Sequence, residues 1–428
     1  MVRATTMVVG TIIGASIFIQ PSVITGEMGS VSGVVLAWAL AGGLTLAGAL
    51  ICAELASAYP RSGGVYVFLR EAYSPVLGFL WGWAMFWSMH SGIIAAIAVV
   101  FARFVSYFAP LGDGDGGIRT VAIAAVLVLS AVNYCGVALG SGLQAALTIG
   151  KVLAIVAIVV LGFWLGAGLP VHFGASSGPR PSLAGLAAAV AAGLFTFGGW
   201  HMVTYTAEET RNPQRTIPRA LILGTLLVTA VYVSLNAVYL YVLPFDRVVA
   251  SNRIAADAAD AVLGRGGGTV MAGLVACSAF GALAGIVLTG PRVYFSMARD
   301  GLLFRWMGAV HPKFGTPHRA IVLQAVWSSV LVATGTYRAL FTRVVFTEWI
   351  FFALMAIGLL LLRSRPGYAP AYRVRGVPVV PLIFAAAAVV VAVSQIAARP
   401  RESVTGLLLV LAGLPVYVLW AVFTSSRE

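Results

Sequence analysis

Gly10-Thr11-Ile12-Ile13-Gly14-Ala15-Ser16-Ile17-Phe18 sits inside a strongly apolar segment that runs from about Met7 to Val23. A membrane helix does not favour two glycines and two small polar residues near its middle. Glycine costs roughly 1 kcal/mol against alanine in a helix interior, and in lipid a broken backbone must find new hydrogen-bond partners. Such a break is tolerable where it lines a cavity and a ligand satisfies the freed groups. The competing reading is helix packing, because Gly10-x-x-x-Gly14 has the spacing by which small residues let membrane helices approach closely. This stretch alone does not separate the two.

Of the 428 residues, 60% are hydrophobic and 10% charged, more apolar sequence than a soluble core absorbs. Runs of spanning length, about 20 residues, recur along the whole chain. The chain reads as an all-α polytopic membrane protein with twelve spans: 4–25, 32–58, 75–109, 118–136, 143–167, 183–207, 218–242, 269–299, 319–336, 344–363, 377–397 and 404–424. The net charge of +13 does not imply nucleic acid, since the cations are mostly Arg in short loops, where they set topology. One set of alternate loops carries Arg61, Arg70, Arg211, Arg215, Arg219, Arg292, Arg299, Arg305, Lys313, Arg319, Arg363, Arg365, Arg373 and Arg375. The other mixes fewer cations with acids: Asp113, Asp115, Arg180, Asp246, Arg247, Arg253, Asp257, Asp260 and Arg265. The Arg-rich set is expected in the cytoplasm, with both termini, and the protein in the inner (plasma) membrane.

Arg3 and the apolar run after it mimic a secretory leader, but Gly10 and Gly14 break the run and no small-residue cleavage site follows. The chain starts abruptly, which leaves open a missing cytosolic segment or a misassigned start. The loop from Pro244 to Gly268 is the one long external connection, read either as short helices over the external mouth or as a plain surface loop.

A second interruption, Phe195-Thr196-Phe197-Gly198-Gly199-Trp200-His201, falls in the sixth span, five spans after the first. Two broken spans at matching positions of two halves point to inverted repeats with a ligand site between them. A break leaves one half-helix ending in unpaired carbonyls and the next beginning with unpaired N–H groups. The first attracts cations and the second anions. A free α-amino acid carries both charges close together and fits such a site.

With these motifs the chain resembles the amino acid–polyamine–organocation (APC) superfamily, and within it the bacterial L-type amino acid transporter branch. The carrying residues are Val9 to Phe18, Phe197-Gly198-Gly199-Trp200, Ala207-Glu208-Glu209-Thr210-Arg211-Asn212-Pro213, Pro218-Arg219-Ala220, Gly290-Pro291-Arg292-Val293-Tyr294 and Met297-Ala298-Arg299-Asp300-Gly301. The resemblance implies a LeuT-like fold: a first repeat over 1–167, a second over 183–363 and two further spans over 377–424. It implies a substrate site that includes Ile13, with N–H groups around Gly14, Ala15 and Ser16 binding the substrate carboxylate. Carbonyls of Thr11, Ile12, Phe195, Thr196 and Gly198 would bind the ammonium, and Phe197 and Trp200 would shape or close the pocket. Two positions depart from the branch. Gly14-Ala15-Ser16 stands where Gly-Ser-Gly is common, and His201 where Asn is common.

Lys151, about two turns into the fifth span, is a costly buried cation. In the branch it resembles, a lysine here stands where sodium-coupled relatives hold sodium. It would bridge to carbonyls near Gly10 and Thr11, which implies sodium independence; the competing reading is a lysine snorkelling to the surface. Glu348, in the tenth span beside Trp349, is either a proton site or external gate or an ordinary interfacial residue. His90 and His201 either face the pocket or serve as hydrogen-bonded neighbours. Glu54, Glu208 and Glu209, beside Arg-rich loops, form ion pairs that either open with a gate or are static. Gly281-Ala-Leu-Ala-Gly285 and Thr289-Gly290 read as a close-packing face.

The expected function is sodium-independent exchange or uniport of neutral L-amino acids by alternating access. Proton symport and a non-transporting sensor on the same fold are the alternatives. Neutrality rests on the lack of an acid on the sixth span or mid third span. No His-Glu-x-x-His, nucleophile elbow or paired intramembrane carboxylates support a membrane enzyme. The expected partners are an amino acid and the bilayer, with no cofactor. Cys52, Cys135 and Cys277 fall in spans rather than in external loops, so no covalent glycoprotein partner is expected.

Overall fold

The structure is a computed structural model that describes residues 1–112, 114–166, 182–264 and 266–425. Asp113, Arg180 and Arg265, counted above among the external charges, lie outside the described residues, as does the last residue of the expected first repeat. Every regular element among the described residues is helical. In chain order they are α1 (Val2–Ile12), α2 (Gln20–Met28), α3 (Val31–Ala58), α4 (Val65–Ala72), α5 (Pro75–Ala84), α6 (His90–Val105), α7 (Asp115–Tyr134), α8 (Val137–Leu165) and α9 (Leu183–Thr196). Then come α10 (Pro213–Val242), α11 (Phe245–Ala250), α12 (Ile254–Leu263), α13 (Gly267–Arg299), α14 (His318–Thr334), α15 (Tyr337–Arg363), α16 (Val379–Ala398), α17 (Pro400–Leu411) and α18 (Gly413–Ser425).

Among the described residues, ten helical segments are long and apolar enough to cross a membrane. The other two expected spans are the interrupted segment α1–α2 and the 17-residue α14. Local signals set the ends. Ser30 and Ser182 cap α3 and α9 by accepting from Gly33 N and Gly185 N. Gly29 closes α2 at φ +60°, a left-handed turn that glycine adopts without strain.

Two spans are less regular than their apolar runs suggest. The third has a wide π turn over Met85–Met89, with the His90 N–H bonded back to the Met85 carbonyl. The twelfth is split at Ala412, because Pro415 has no N–H to offer the carbonyl of Leu411. The Pro244–Gly268 connection does hold two short helices, and α11 packs on α2.

The core sits where α3, α10 and α13 meet the two interrupted spans. Trp38 of α3 and Tyr232 of α10 pack edge to face with centroids 5.5 Å apart, and Phe197 lies 4.9 Å from Tyr232. Such pairs add about 0.5–1.5 kcal/mol beyond area burial. Glycines on α13 permit the close approach expected of them. A Cβ at Gly285 would stand 2.8 Å from Thr11 Cγ2, and one at Gly290 would stand 2.4 Å from His90 Nε2.

The Arg-rich end of the bundle is fastened by ion pairs. Arg363 forks onto Glu54, with Nε to Oε1 at 2.7 Å and Nη2 to Oε2 at 2.5 Å. Arg292 grips Glu209 at 3.0 Å, and Arg299 meets Glu208 at 3.0 Å. Asp300, the cap of α13, accepts from Arg61 (2.8 Å), from the Tyr66 hydroxyl (2.9 Å) and from Arg70. Burial alone would push the Asp300 carboxyl up, but hydrogen bonds from Arg70 and Tyr66 and the two guanidinium charges hold it below the ordinary carboxylate value. That fastening is present at neutral pH and weakens as pH falls through the carboxyl's depressed value.

Candidate functional site

α1 ends at Ile12, and the chain turns through Ile13, Gly14 and Ala15 before a single 3₁₀ turn over Ser16–Phe18. α9 ends at Thr196, and the second interruption runs through Phe197, Gly198 and Gly199, followed by tight 3₁₀ turns over Trp200–Glu209. The two interruptions touch. The Thr11 hydroxyl reaches the carbonyls of Met7 (2.8 Å) and Gly199 (3.1 Å), and a Cβ on Gly199 would stand 2.8 Å from the Thr11 carbonyl oxygen.

The two glycines of Gly10-x-x-x-Gly14 stand in different settings. Gly10 is a packing residue: a Cβ there would stand 2.1 Å from Gln144 Nε2 and 2.2 Å from Thr148 Oγ1, both on α8. Gly14 lies in the break and lines a cavity of about 300 Å³. The cavity is bounded by Thr11, Ile12, Gly14, Ala15 and Ser16 from the first break, and by Phe195, Thr196, Gly198, Gly199 and Trp200 from the second. Ile93, Ala96 and Ile97 of α6, Ala282 and Ile286 of α13, and Glu348, Trp349 and Phe352 of α15 complete much of its wall. A second groove of about 390 Å³, between Phe79, Trp83, Trp327 and Trp420, is lined almost wholly by apolar side chains and offers a zwitterion nothing.

The polar groups of the breaks divide into occupied and open. Lys151, 2% exposed, donates from Nζ to Gly10 O (3.0 Å), Ile13 O (2.6 Å) and Ser278 O (3.3 Å). Its partners are thus Gly10 and Ile13 rather than Gly10 and Thr11, and it does not snorkel. The Ser278 hydroxyl lies 3.2 Å from Gly14 O, and the Tyr232 hydroxyl lies 3.1 Å from Ile12 O and 3.4 Å from Thr196 O. Phe195 O accepts from Gly198 N at 3.1 Å. By contrast, among the described residues the backbone N–H groups of Gly14, Ala15 and Ser16 find no acceptor within the protein. Three adjacent donors without an internal acceptor thus belong to residues that line the cavity.

Several expected site residues stand elsewhere. Phe197 is fully buried and does not line the cavity; it packs between Trp38 and Tyr232, because the turn at Phe197–Gly199 swings its ring away from the wall. Phe195 faces the cavity instead. Ile13 is buried, contributing only its carbonyl to Lys151. His90 is buried with Nε2 2.9 Å from the Ile286 carbonyl, as a hydrogen-bonded neighbour. His201 is likewise behind the wall, among the rings of Trp81, Trp200, Tyr205 and Phe352. Glu348 is no interfacial residue: its side chain is 13% exposed and reaches the cavity. Sequence reasoning missed Tyr232, Ser278, Gln144 and Gly199 as parts of the site. Only Gly199 carried a visible signal, the Gly-Gly pair.

Gly199 has φ +99°, where a side chain costs about 1–3 kcal/mol. Gly199→Ala is therefore expected to lower flux at least ~10-fold and to reduce stability by an amount in that range. Gly43→Ala, where a Cβ meets nothing within 4 Å, serves as the silent control. Reconstituted transport and thermal unfolding in detergent check both, and equal behaviour of the two variants would refute the assignment.

The fold and cavity define a polytopic helical membrane protein with an internal chamber at two interrupted helices. Comparison with known proteins narrows this. The amino acid permease family matches residues 1–423. The chain is 34% identical to the serine/threonine exchanger SteT of Bacillus subtilis over 418 residues, covering 97% of this chain and 94% of the relative. It is 31% identical to the Asc-type amino acid transporter 1 of Mus musculus over 438 residues, covering 100% of this chain and 81% of the relative. It is 30% identical to the human b(0,+)-type amino acid transporter 1, covering 98% of this chain and 87% of the relative. The chain belongs to the amino acid permease family, within the APC superfamily. Its family and these relatives are permeases and transporters, not enzymes.

Proposed function

We propose that the protein carries neutral L-amino acids across the membrane by alternating access, as a sodium-independent exchanger or uniporter. The observation that carries this is the set of unpartnered N–H groups at Gly14, Ala15 and Ser16, in residues that line a cavity whose remaining wall is mostly apolar. They suit a carboxylate, while the carbonyls of Thr11, Ile12, Phe195, Thr196 and Gly198 suit the ammonium beside it. Ile12 O and Thr196 O each keep a lone pair beyond the Tyr232 contact. Trp200 and Phe195 shape the chamber. Lys151 takes the place of a bound cation at the first break, which supports sodium independence. The similarity to a serine/threonine exchanger supports exchange.

In this reading residues 1–167 and 183–363 are inverted repeats and 377–424 adds two spans. The Arg-rich end faces the cytoplasm of a plasma membrane, and its ion pairs open when the chamber faces inward. No covalent partner is needed. Proton symport is the second reading, favoured by the carboxylate of Glu348 on the cavity wall.

Proteoliposomes holding the purified protein test the proposal. Labelled amino acid uptake would be followed with and without internal amino acid, in sodium and in choline, and with an imposed pH gradient. Uptake that needs internal amino acid and ignores sodium is the expected result for an exchanger. Uptake driven by the pH gradient would favour the symporter, sodium-dependent uptake would overturn the role given to Lys151, and binding without flux would indicate a sensor.

A further inference from the structure

Glu348 is the one carboxylate on the cavity wall among the described residues. Its side chain is 13% exposed, and no described residue donates a hydrogen bond to it. The only basic group within 4 Å among the described residues is His201, with Nε2 3.7 Å from Oε1, beyond hydrogen-bond length. His201 is itself buried, with neither ring nitrogen hydrogen-bonded. The cavity that Glu348 lines is walled largely by aromatic and aliphatic side chains, among them Trp349, Phe352, Trp200 and Ile286. A carboxyl group in such surroundings, inside a membrane protein, is costly to keep without partners. Glu348 thus lines the chamber with its acceptor capacity unused by any described residue.

The backbone groups of the two breaks are common to every α-amino acid and cannot tell one side chain from another. Selection falls to the rest of the wall, where Glu348 is the strongest acceptor. We propose that Glu348 reads the substrate's side chain, so that the cavity favours amino acids whose side chain ends in a hydrogen-bond donor: a hydroxyl, an amide or an ammonium. This rests on the transport reading above and names a substrate class within it. The carboxylate accepts from the substrate's O–H or N–H, and a substrate lacking the donor leaves that carboxylate desolvated and unpaired.

The test compares kcat/KM for serine with alanine, and for threonine with 2-aminobutyrate, in proteoliposomes. 2,4-Diaminobutyrate serves as the cationic donor. The unaltered protein should favour the donor-bearing member of each pair by ~10-fold or more, the scale of a hydrogen bond to a charged group. Glu348→Met, which keeps volume and removes both acceptors, should bring the ratios near one. Glu348→Gln, which keeps one acceptor, should fall between, and it decides the matter if the Met variant does not fold. Ratios near one in the unaltered protein, or ratios unchanged in the Gln variant, would overturn the proposal. Equal loss of alanine and serine transport in both variants would also overturn it, placing Glu348 against the common ammonium instead. Transport of 2,4-diaminobutyrate alongside serine would uphold Glu348 and remove the restriction to neutral substrates. Absence of flux with every amino acid in the unaltered protein would bring down the transport reading itself.

Discussion

Lys151→Ala is expected to cut amino acid flux by about 100-fold or more while leaving a folded protein. The argument is local. The ammonium holds the carbonyl of Gly10 in the last turn of α1 and that of Ile13 just beyond it, and ties both to Ser278 of α13. Hydrogen bonds from a charged donor are each worth about 1.5–3 kcal/mol. Truncation removes three at once and leaves carbonyls facing a dry gap where the chain must hold its turn. Distortion of that turn displaces the N–H groups of Gly14 to Ser16, one to three residues on. Lys151→Met separates charge from bulk, because it keeps an unbranched stem; it should be as inactive as the alanine variant. Uptake in sodium and in choline is the measurement. Near-normal flux in either variant would show that the lysine only fills space.

The second large effect is on stability. Glu54 is completely buried in α3, held by the two-pronged contact with Arg363 of α15 and by Val374 N at 2.6 Å. Removing one partner of a buried pair leaves the other uncompensated and costs about 3–5 kcal/mol. Glu54→Ala should therefore lower the unfolding midpoint in detergent markedly, or prevent accumulation of folded protein. Glu208→Ala breaks a pair at the same end whose members are 37% and 55% exposed, and such a pair is worth about 0–1 kcal/mol. Similar midpoints for the two variants would contradict the ranking.

Much of this molecule is legible in its amino-acid order, for reasons that can be stated. Lipid forces the backbone to satisfy itself, so long apolar runs become helices. Glycines that interrupt such a run mark where it stops, and the breaks fall at Ile13–Ala15 and Phe197–Gly199, within the stretches that sequence singles out. Lys151 stands out because a deep cation is rare, and Glu54, Glu208 and Glu209 because arginines follow nearby.

What escaped depends on which helices become neighbours. Tyr232 and Ser278 are unremarkable in their own helices, and their roles come from facing the break. Phe195 and Phe197, two residues apart at the end of α9, point to opposite sides, and the packing of Phe197 on Trp38 and Tyr232 leaves Phe195 to the wall. Glu348 beside Trp349 resembles an interfacial pair until α15 is seen to line the chamber. The bend before Pro415 was written in the chain, but hydropathy alone passes over it.

The convergence of Arg61, Tyr66 and Arg70 on Asp300 distributes tolerance to mutation unevenly. Loss of either arginine leaves the carboxylate with two donors, so a change on that side is buffered. Loss of the aspartate breaks all three contacts in a single step, leaving the Tyr66 hydroxyl without that acceptor and the two arginines with Glu71 alone, at 3.2 Å from Arg70 and 4.0 Å from Arg61. The same contact is thus redundant when approached from the loop and fragile when approached from the end of α13. Sequence drift in this protein has more room on the donor side than on the acceptor side.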